Sequence, residues 1–580
     1  MSHRAKTGVP PWGVFPSGVS SLARDLPIIV AGLAGFYGLL TFAVYGTGPA
    51  NTQAAIQLAP GALPKYALFS VARIVIAYFL SLGFALVYGY VAAYHAKAEK
   101  IMVPLLDILQ SIPVLSFLPG VMLAMIALFP NRQLGVELGC IVLILTGQVW
   151  NMTFSFYSSL KSIPHDMQEA AQTYGLGWWQ RLVQIELPYA AIGLIWNSIM
   201  SVAGAWFFLM ACEMFVLGNR DLRLPGLGSY LQTAANAGDT RAIAWGVGVM
   251  VAIIIAMDQV LWRPIIAWAE KFKFEQVEAA EPAHSPILDL LRRSKFLTLA
   301  GRVTLRPGRE ALDLHFARAG AAARQNPSAS PFSKLFWRVL LILALAGIGY
   351  ALMGMSRMLV ALSRSEIWMI LRGAGATFLR VEVTLLLAAL WTVPVGVYVG
   401  LRPKLSAFFQ PIAQIAASVP ATALFPVVLL VLVRVGDGMG VGSMVLLLLG
   451  TQWYILFNVI AGASAIPTDL KEVCGVFRVG NFERWRKLFL PGIFPYLITG
   501  MITASGGAWN ASIVAEYFRF RGQTLSTVGL GAVISQATDS GNFRVLLAAT
   551  ICMAAIVVTV NRLVWRRLYG LAATKFKMDA

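Results

Sequence analysis

The stretch EAAQTYGLGWWQRLVQIELP, residues 169–188, separates two long apolar segments of the chain. Residues 163–175 are predicted to form a short helix. Pro164 suits its first turn, Glu169 complements the positive end of its dipole, and Gly175 provides a stop. A short polar helix fixed between two apolar segments is suited to receive a mechanical input from another protein.

Apolar residues dominate the chain on either side of this stretch. Hydrophobic residues make up 58% and charged residues 13% of its 580 residues, and the mean hydropathy is +0.70. A soluble protein carries about a quarter charged residues, whereas apolar runs of about 20 residues mark membrane-spanning helices. About twelve spans are predicted, at 26–47, 66–93, 104–128, 137–158, 190–213, 243–262, 335–353, 372–400, 408–433, 441–462, 493–516 and 544–561.

The net charge of +19 fits a membrane protein better than a nucleic-acid-binding protein. With the N-terminus placed in the cytoplasm, the inner segments hold 32 Lys and Arg residues and the outer segments hold 11. Such an excess on one side follows the positive-inside rule. Both termini and the opening stretch are therefore predicted to be cytoplasmic in a bacterial inner membrane, and no nucleic acid is expected as a partner.

The chain is duplicated. From Gly147 onward, the first half reappears in the second at an offset of 303 residues, and further upstream the offset is 307. Each half holds about six spans, an even number, so a pseudo-twofold axis along the membrane normal is expected to relate the halves. The predicted domains are a first repeat at 1–268, a polar linker at 269–334 and a second repeat at 335–580. The linker is interpreted either as a simple tether or as a regulatory element.

The opening stretch is similar to the EAA motif of ABC importer permeases, E-A-A-x3-G-x9-I-x-L-P. The fixed positions that match are Glu169, Ala170, Ala171, Gly175, Ile185, Leu187 and Pro188. In that family this segment is the coupling helix, which docks into a groove of the ATP-binding subunit. The resemblance implies that Glu169, Ala170, Ala171, Gly175 and Gly177 serve this coupling. It also implies an all-α polytopic membrane fold of two tandem six-helix type I permease domains.

The second copy departs from the motif. Val473-Cys474 replace the alanines and Arg478 replaces the glycine, while Glu472 is kept. Gly480 is expected to take over the turn. Glu472, Arg478 and Gly480 are the coupling residues that the resemblance implies here, and two unequal coupling helices predict asymmetric docking.

The stretches SIPVLSFLP at 111–119 and SVPATALFP at 418–426 resemble permeases of nitrate, sulfonate, taurine and bicarbonate importers. The resemblance implies import of a small anion by alternating access, driven by two ATP-binding subunits, identical or different, and supplied by an extracytoplasmic solute-binding protein. The chain has no GxxxxGK[ST] motif, so ATP and magnesium are expected on the partner subunits. No cofactor or metal site is expected in this chain.

Four residues near span ends are candidates for the translocation path. Trp206 and Glu213 are seven residues apart and share a helical face, as Trp509 and Glu516 do. A carboxylate there is costly in lipid but is accommodated at a water-filled path. The alternative is a structural role at the outer boundary, in which the two glutamates cap a neighbouring segment or pair with Arg220 or Arg519.

The Ser-x-Pro sequences within two predicted spans are the other path candidates. Ser111, Pro113, Ser418 and Pro420 lie where a missing backbone donor leaves carbonyls that need partners, as happens beside a cavity. The alternative is a simple helix kink. Arg73 and Arg380, near the start of the second span of each half, are expected to reach toward the outer surface, with attraction of anions as a second interpretation.

Two other classes of protein were considered. Twelve spans in two parallel halves also describe an ion-gradient-driven secondary transporter of the major facilitator type. The short basic loop motif of that type is missing, because residues 94–103 read YHAKAEKIMV. A membrane enzyme has no support, since the spans contain no nucleophile motif or cluster of His, Cys and carboxylates.

Overall fold

The computed structural model describes residues 21–48, 56–130, 133–217, 220–272, 285–294, 331–435, 439–520 and 523–575, together with parts of 299–316. Contacts divide the chain into two compact units. Unit 1 comprises Met1–Ala43, Ile163–Ile192 and Asp258–Pro327, and unit 2 comprises Val44–Ser162, Gly193–Met257 and Ser328–Ala580. These units do not follow the sequence repeats, and the domain boundaries at 268 and 334 stay predictions.

The first repeat and the start of the linker are helical, with one short hairpin. The helices are α1 (Ser21–Thr47), α2 (Leu63–Tyr94), α3 (Ala96–Ser111), α4 (Leu118–Leu128), α5 (Gln133–Lys161), α6 (His165–Thr173), α7 (Trp178–Arg181), α8 (Leu187–Glu213), α9 (Leu227–Ala237), α10 (Thr240–Met257), α11 (Arg263–Ala269) and α12 (Pro286–Arg293). The hairpin pairs β1 (Val216–Leu217) with β2 (Arg220–Asp221) in antiparallel register.

The second repeat follows the same order. Its helices are α13 (Pro331–Val360), α14 (Arg364–Gly400), α15 (Pro403–Ser418), α16 (Ala421–Val435), α17 (Met439–Ser464), α18 (Thr468–Val476), α19 (Asn481–Arg484), α20 (Leu490–Ala515), α21 (Leu530–Ser540), α22 (Phe543–Val560) and α23 (Arg566–Lys575). The antiparallel hairpin is longer here and pairs β3 (Tyr517–Phe520) with β4 (Gln523–Ser526).

Irregular helical turns recur at the repeat offset of 303. The π turn Leu182–Glu186 joins α7 to α8, and Trp485–Phe489 joins α19 to α20 in the second repeat. A second pair, Asp258–Trp262 and Asn561–Trp565, follows α10 and α22. The duplication therefore extends to local backbone distortions as well as to the order of helices.

Eight helices among the described residues are long and apolar enough to cross a membrane. They are Pro60–Tyr94, Gln133–Lys161, Trp178–Glu213, Thr240–Ala269, Arg364–Gly400, Met439–Ser464, Asn481–Ala515 and Phe543–Ala572, and each carries one of the twelve predicted spans. The protein is thus a multi-pass, all-α membrane protein. The predicted spans 26–47 and 335–353 lie in α1 and α13, and many side chains of these two helices are outside the described residues.

Two predicted spans are wrong as single helices. The segment 104–128 divides into α3 and α4, and 408–433 divides into α15 and α16. Ile112 and Val419 precede Pro113 and Pro420 and have extended backbones, because a following proline disfavours the helical conformation. With 11 residues at about 1.5 Å per residue, α4 is too short to cross a hydrocarbon core of about 30 Å.

The two repeats contact each other within unit 2, at the broken segment of the first repeat. Asn561 Nδ2 donates a hydrogen bond of 3.0 Å to Ser111 Oγ. A guanidinium nitrogen of Arg566 lies 2.8 Å from a carboxylate oxygen of Asp107. Among the largest fully buried side chains of this unit are Trp206, Trp509, Tyr230, Phe69, Phe156 and Phe425.

Candidate functional site

The first EAA loop, defined as residues 163–177, is a rigid short helix with a closed end. Its N-terminus is held by the carbonyl of Pro164, which accepts the N–H groups of Met167 and Gln168 at 3.2 and 3.3 Å. At the C-terminus, Gly175 has a φ of 64°, and the Leu176 N–H donates to the Ala171 carbonyl at 3.0 Å. This left-handed closure satisfies the last carbonyls of the helix and is the reason for a glycine.

The predicted coupling residues of the first EAA loop divide between surface and interior. Glu169 and Ala170 are exposed, whereas Ala171 is buried, with 2% of its surface accessible. Gly177 caps α7, and its N–H donates to Gln180 Oε1 at 2.9 Å. The exposed surface of α6 carries two carboxylates, Asp166 and Glu169, beside the small Ala170, where another protein can approach closely.

The second EAA loop, defined as residues 466–480, closes in the same way without a glycine. Arg478 has a φ of 46°, and the Val479 N–H donates to the Cys474 carbonyl at 3.0 Å. The expectation that Gly480 takes over the turn is wrong, because its φ is −63° and it caps α19 as Gly177 caps α7. A non-glycine residue in this region carries a conformational cost of about 1–2 kcal/mol.

Large apolar side chains surround the second EAA loop. The exposed fractions are 79% for Val476, 75% for Phe477 and 79% for Phe482. Glu472 is also exposed, next to Val473. In the first EAA loop, Tyr174 is 82% exposed. A contiguous apolar surface of this kind is typical of a protein–protein interface.

A buried ionic cluster lies at the other end of α8. Arg73 on α2 places Nε and Nη2 at 2.7 and 2.6 Å from the two carboxylate oxygens of Glu137 on α5. Its Nη1 lies 2.7 Å from Glu213 Oε1 and donates to the Pro225 carbonyl at 2.9 Å. These three charged side chains are at most 2% exposed. Buried charges need such pairing, since an unpaired charge in apolar surroundings is very costly.

Glu213 also caps the N-terminus of α9. Its Oε2 accepts the Gly228 N–H at 2.7 Å, and its Oε1 accepts the Ser70 hydroxyl at 2.7 Å. A Cβ on Gly226 would overlap the carboxyl group of Glu213. The GLG sequence at 226–228 therefore leaves space for a carboxylate that binds a helix N-terminus, where negative charge is favoured.

The second repeat forms the same cluster with one carboxylate fewer. Glu516 pairs with Arg380, accepts the Thr377 hydroxyl at 2.7 Å and accepts the Gly531 N–H at 2.8 Å. A Cβ on Gly529 would overlap the Glu516 carboxyl group. The counterpart of Glu137 is Gly440 at an offset of 303 and Met444 at an offset of 307, so neither alignment provides a carboxylate.

These clusters assign partners that sequence reasoning missed. The structural alternative for the two glutamates holds in its capping form, since Glu213 and Glu516 bind the N-termini of α9 and α21. Their ion-pair partners are Arg73 and Arg380. Arg519 pairs with Asp539 instead, and the side chain of Arg220 is outside the described residues. Arg73 is fully buried, so the expectation that it reaches the outer surface is wrong. The signal that could have found the pairs is the recurrence of all four charges at the repeat offsets.

A cavity of about 390 Å³ lies in unit 2 between residues of both repeats. Leu115 and Pro119, from the broken segment of the first repeat, form part of its apolar wall, and Ile513 and Ile534 contribute from the second. Gln232 Nε2 donates to the Arg519 carbonyl at 2.9 Å across this region. The polar side chains on the wall are those of Asp221, Arg223, Gln232, Asn236, Tyr517, Arg519, Ser535, Thr538 and Asp539.

The predicted path residues are close in the sequence to residues that line this cavity, but they do not line it themselves. Trp206, Glu213, Trp509 and Glu516 are buried, with at most 2% of their surface accessible. Ser111, Pro113 and Pro420 also lie outside the cavity wall, and the side chain of Ser418 is outside the described residues. The wall is formed instead by chain neighbours of these residues, such as Leu115 and Tyr517.

The charges on the cavity wall are balanced. Arg223 Nε lies 2.9 Å from each carboxylate oxygen of Asp221. Arg519 Nη2 lies 2.6 Å from Asp539 Oδ2, to which the Tyr517 hydroxyl also donates at 2.6 Å. Burial raises the pKa of the Asp221 carboxyl, but the hydrogen bonds and charge of Arg223 outweigh burial, so this pKa lies below its ordinary value. The ion pair of Asp221 with Arg223 is therefore formed at neutral pH.

The fold and the duplicated loop define a membrane transport protein with two tandem permease repeats. The chain belongs to the family of binding-protein-dependent transport system inner membrane components, whose family model matches residues 85–258 and 392–567, more than half of the chain. The two matches confirm the internal duplication. Family membership also disfavours the secondary transporter considered from the sequence.

Relatives of this chain include permease proteins named for nitrate import, bicarbonate transport and taurine transport. It is 28% identical over 190 residues to the nitrate import permease protein NrtB of Leptolyngbya laminosa. The aligned region covers 33% of this chain and 64% of the relative. It is 28% identical over 189 residues to the bicarbonate transport system permease protein CmpB of Synechococcus elongatus, 33% of this chain and 65% of the relative. It is 25% identical over 198 residues to the taurine transport system permease protein TauC of Escherichia coli, 33% and 68% respectively.

The chain therefore spans just under two thirds of the nitrate and bicarbonate permeases that it matches.

Proposed function

We propose that this chain is the fused permease of an ATP-driven importer for a small anion. The observation that carries the proposal is the pair of EAA loops, each a short helix closed by a residue with positive φ, at Gly175 and Arg478. Both present an exposed glutamate, Glu169 or Glu472. Such rigid, exposed helices are suited to transmit force from a partner.

The proposed partners are two ATP-binding subunits and an extracytoplasmic solute-binding protein. Two docking loops imply two ATP-binding subunits, which are identical or of two types. The excess of Lys and Arg on one side supports an orientation in which both EAA loops and both termini face the cytoplasm of a bacterial inner membrane. Hydrolysis of ATP, with magnesium, takes place on the partner subunits.

A continuous helix leads from the second EAA loop to the cavity wall within unit 2. Asn481–Ala515 begins directly after that loop, contributes Ile513 to the wall and ends next to Glu516, which binds the N-terminus of α21. A displacement of this loop by a closing ATPase would move the helix end at the cavity wall. The helix Trp178–Glu213 follows the first EAA loop along the chain in the same way. This coupling is the proposed basis of alternating access.

The cavity is the proposed passage for the anion. Arg223 and Arg519 lie on its wall, each paired with a carboxylate of the chain. Guanidinium groups bind planar and tetrahedral oxyanions through paired hydrogen bonds. We infer that an entering anion competes with Asp221 or Asp539 for these donors, so binding is weak enough for release. Nitrate, bicarbonate and taurine, named for the relatives, are the solutes to test first.

The test is uptake by the full chain, reconstituted into vesicles with the ATP-binding subunits and solute-binding protein encoded beside it. Uptake should require ATP, and Glu169→Lys or Gly175→Val should abolish most of it while membrane insertion is kept. Arg241→Gln, at an exposed position outside both EAA loops, serves as a surface control. Uptake that persists on an ion gradient without ATP, or normal uptake by both loop variants, would overturn the proposal.

A further inference from the structure

The linker segment 310–316 packs on the two tryptophans that follow the first EAA loop. Trp179 Nε1 donates a hydrogen bond of 2.7 Å to Asp313 Oδ1. The ring of Phe316 lies 4.6 Å from that of Trp179 and 5.3 Å from that of Trp178, between centroids. The pair Trp178 and Trp179 is called the Trp shelf below. All of these residues belong to unit 1.

The contacts are directional and fix the linker segment in one position. Asp313 and Phe316 are three residues apart in a helical segment, so they share the face that meets the Trp shelf. One provides an acceptor for the indole N–H, and the other stacks on both rings in tilted and edge-on geometries favoured by aromatic pairs. A passive tether would not need this combination of a polar and an aromatic contact.

The second repeat has no equivalent shelf. At the repeat offset of 303, Asn481 and Phe482 replace Trp178 and Trp179. Phenylalanine has no indole N–H to donate, and Phe482 is 79% exposed. The sequence therefore distinguishes the two EAA loops, since the tryptophan pair that contacts the linker segment follows the first loop, whereas Asn481 and Phe482 follow the second.

The linker segment leaves the coupling helix accessible. Glu169, Ala170 and Thr173 on α6 are exposed, and Tyr174 is 82% exposed. A segment that blocked docking would cover these residues. Instead it occupies the Trp shelf, which begins four residues after Tyr174.

The seated linker segment adds its own apolar surface next to the first EAA loop. Leu312 is 50% exposed and Leu314 is 56% exposed, although their neighbours Asp313 and Phe316 are engaged with the shelf. Apolar side chains held in this way, beside an exposed docking helix, extend the area that a partner could bury.

We propose that the linker segment 310–316 is part of the docking surface for the ATP-binding subunit at the first EAA loop. This proposal rests on the proposed function. The first subunit would contact a composite surface made of α6 and the linker segment. The second would contact α18 and the exposed Phe477 and Phe482 that follow it. The linker segment then makes the docking surface at the first EAA loop different from that at the second, so each loop would be recognised differently by an ATP-binding subunit.

The experiment is site-specific photocrosslinking in the full complex. A benzoylphenylalanine is placed at Leu312, and in separate samples at Glu169 and at Phe482 as references for the two EAA loops. The proposal expects an adduct between position 312 and an ATP-binding subunit. An adduct at 169 or 482 without one at 312, or an adduct of 312 with lipid alone, overturns the linker proposal and leaves the proposed function intact. Failure at all three positions overturns both.

Variants of the contact between Phe316 and the Trp shelf provide a second test, in which adduct yields at the same crosslinker position are compared between variants. Phe316→Ala should lower the 312 adduct about fivefold, the factor for about 1 kcal/mol of ring contact. The adduct at 169 should be unchanged. Trp179→Phe, which keeps a ring but loses the indole donor, should give a smaller loss, and Leu299→Ala, an exposed linker position, should give none. An adduct at 312 that is insensitive to Phe316→Ala would overturn the proposal.

Discussion

Arg478 holds in the second EAA loop the left-handed backbone conformation that Gly175 holds in the first, with φ of 46° and 64°. The two closing hydrogen bonds, Leu176 to Ala171 and Val479 to Cys474, are both 3.0 Å long. The turn is therefore a property of the loop, and glycine only lowers its conformational cost.

This equivalence predicts that substitutions at the two positions change the stability of their loops in opposite directions. Gly175→Ala should destabilise the first loop by about 1–2 kcal/mol, because an L-residue is strained at positive φ. Arg478→Gly should relieve part of that strain in the second loop. The measurement is ATP-dependent uptake together with limited proteolysis of each loop. Gly83→Ala is the control, since Gly83 lies in α2, outside both EAA loops, and no atom lies within 4 Å of its Cβ position. Equal sensitivity at 175 and 83 would contradict the prediction.

The buried clusters predict that the two glutamates bound to Arg73 are unequal. Glu213→Gln should destabilise the protein by about 3–5 kcal/mol, because the amide cannot accept from Arg73, Ser70 and Gly228 as a carboxylate does. Glu137→Gln should be tolerated, since the second repeat pairs Arg380 with a single carboxylate.

Thermal unfolding of the detergent-solubilised chain checks this difference. Glu516→Gln, the counterpart of Glu213→Gln in the second repeat, should be as damaging. Similar melting temperatures for the Glu137 and Glu213 variants would contradict the prediction, because the two carboxylates would then contribute equally to stability.

Alanine at the first glycine of either GLG sequence is predicted to disrupt the same clusters. A methyl group on Gly226 or Gly529 would occupy the space of the Glu213 or Glu516 carboxyl group, which is held by backbone donors and cannot move aside. Both variants should accumulate poorly in the membrane. Gly83→Ala is the control, because no atom lies within 4 Å of its Cβ position and alanine favours a helix.

Local signals in the sequence predicted the parts of the fold that depend on neighbours in the chain. The short helix around Glu169 and its stop at Gly175 follow from capping and turn preferences, which act within a few residues. The break at Pro113 was visible as a proline within a span, but sequence alone did not decide between a kink and two separate helices. The position of the second turn could not be predicted from glycine preference, because Arg478 adopts the positive φ and the Val479 N–H closes the turn on the Cys474 carbonyl.

The long-range contacts could not be predicted from a single sequence. Arg73 and Glu213 are 140 residues apart, and no local pattern ties them together. The same is true of Trp179 and Asp313, whose contact depends on how the linker folds back. The duplication provided the only hint, since charges that recur at fixed offsets are candidates for a shared structural role.

The cavity predicts which arginines affect solute uptake. Arg223→Gln and Arg519→Gln should weaken uptake of an anion by raising the solute concentration needed for half-maximal rate, because each removes a charged donor from the wall. Asp221→Asn should act in the opposite direction by releasing Arg223 from its partner. Arg241→Gln, an exposed arginine away from the cavity wall, should change neither value.

The pH dependence of uptake gives the same prediction a second readout. The pKa of Asp221 lies below its ordinary value, so any stability from its pair with Arg223 is present above the unfolded pKa of about 3.9 and is lost only as pH falls through the lower folded pKa. Between about pH 5 and pH 8, where proteins are usually most stable, the wild-type chain and Asp221→Asn should therefore differ by a constant factor. A difference that grows toward pH 5 would mean that Asp221 titrates in that range and that the ion pair at the cavity wall is not formed.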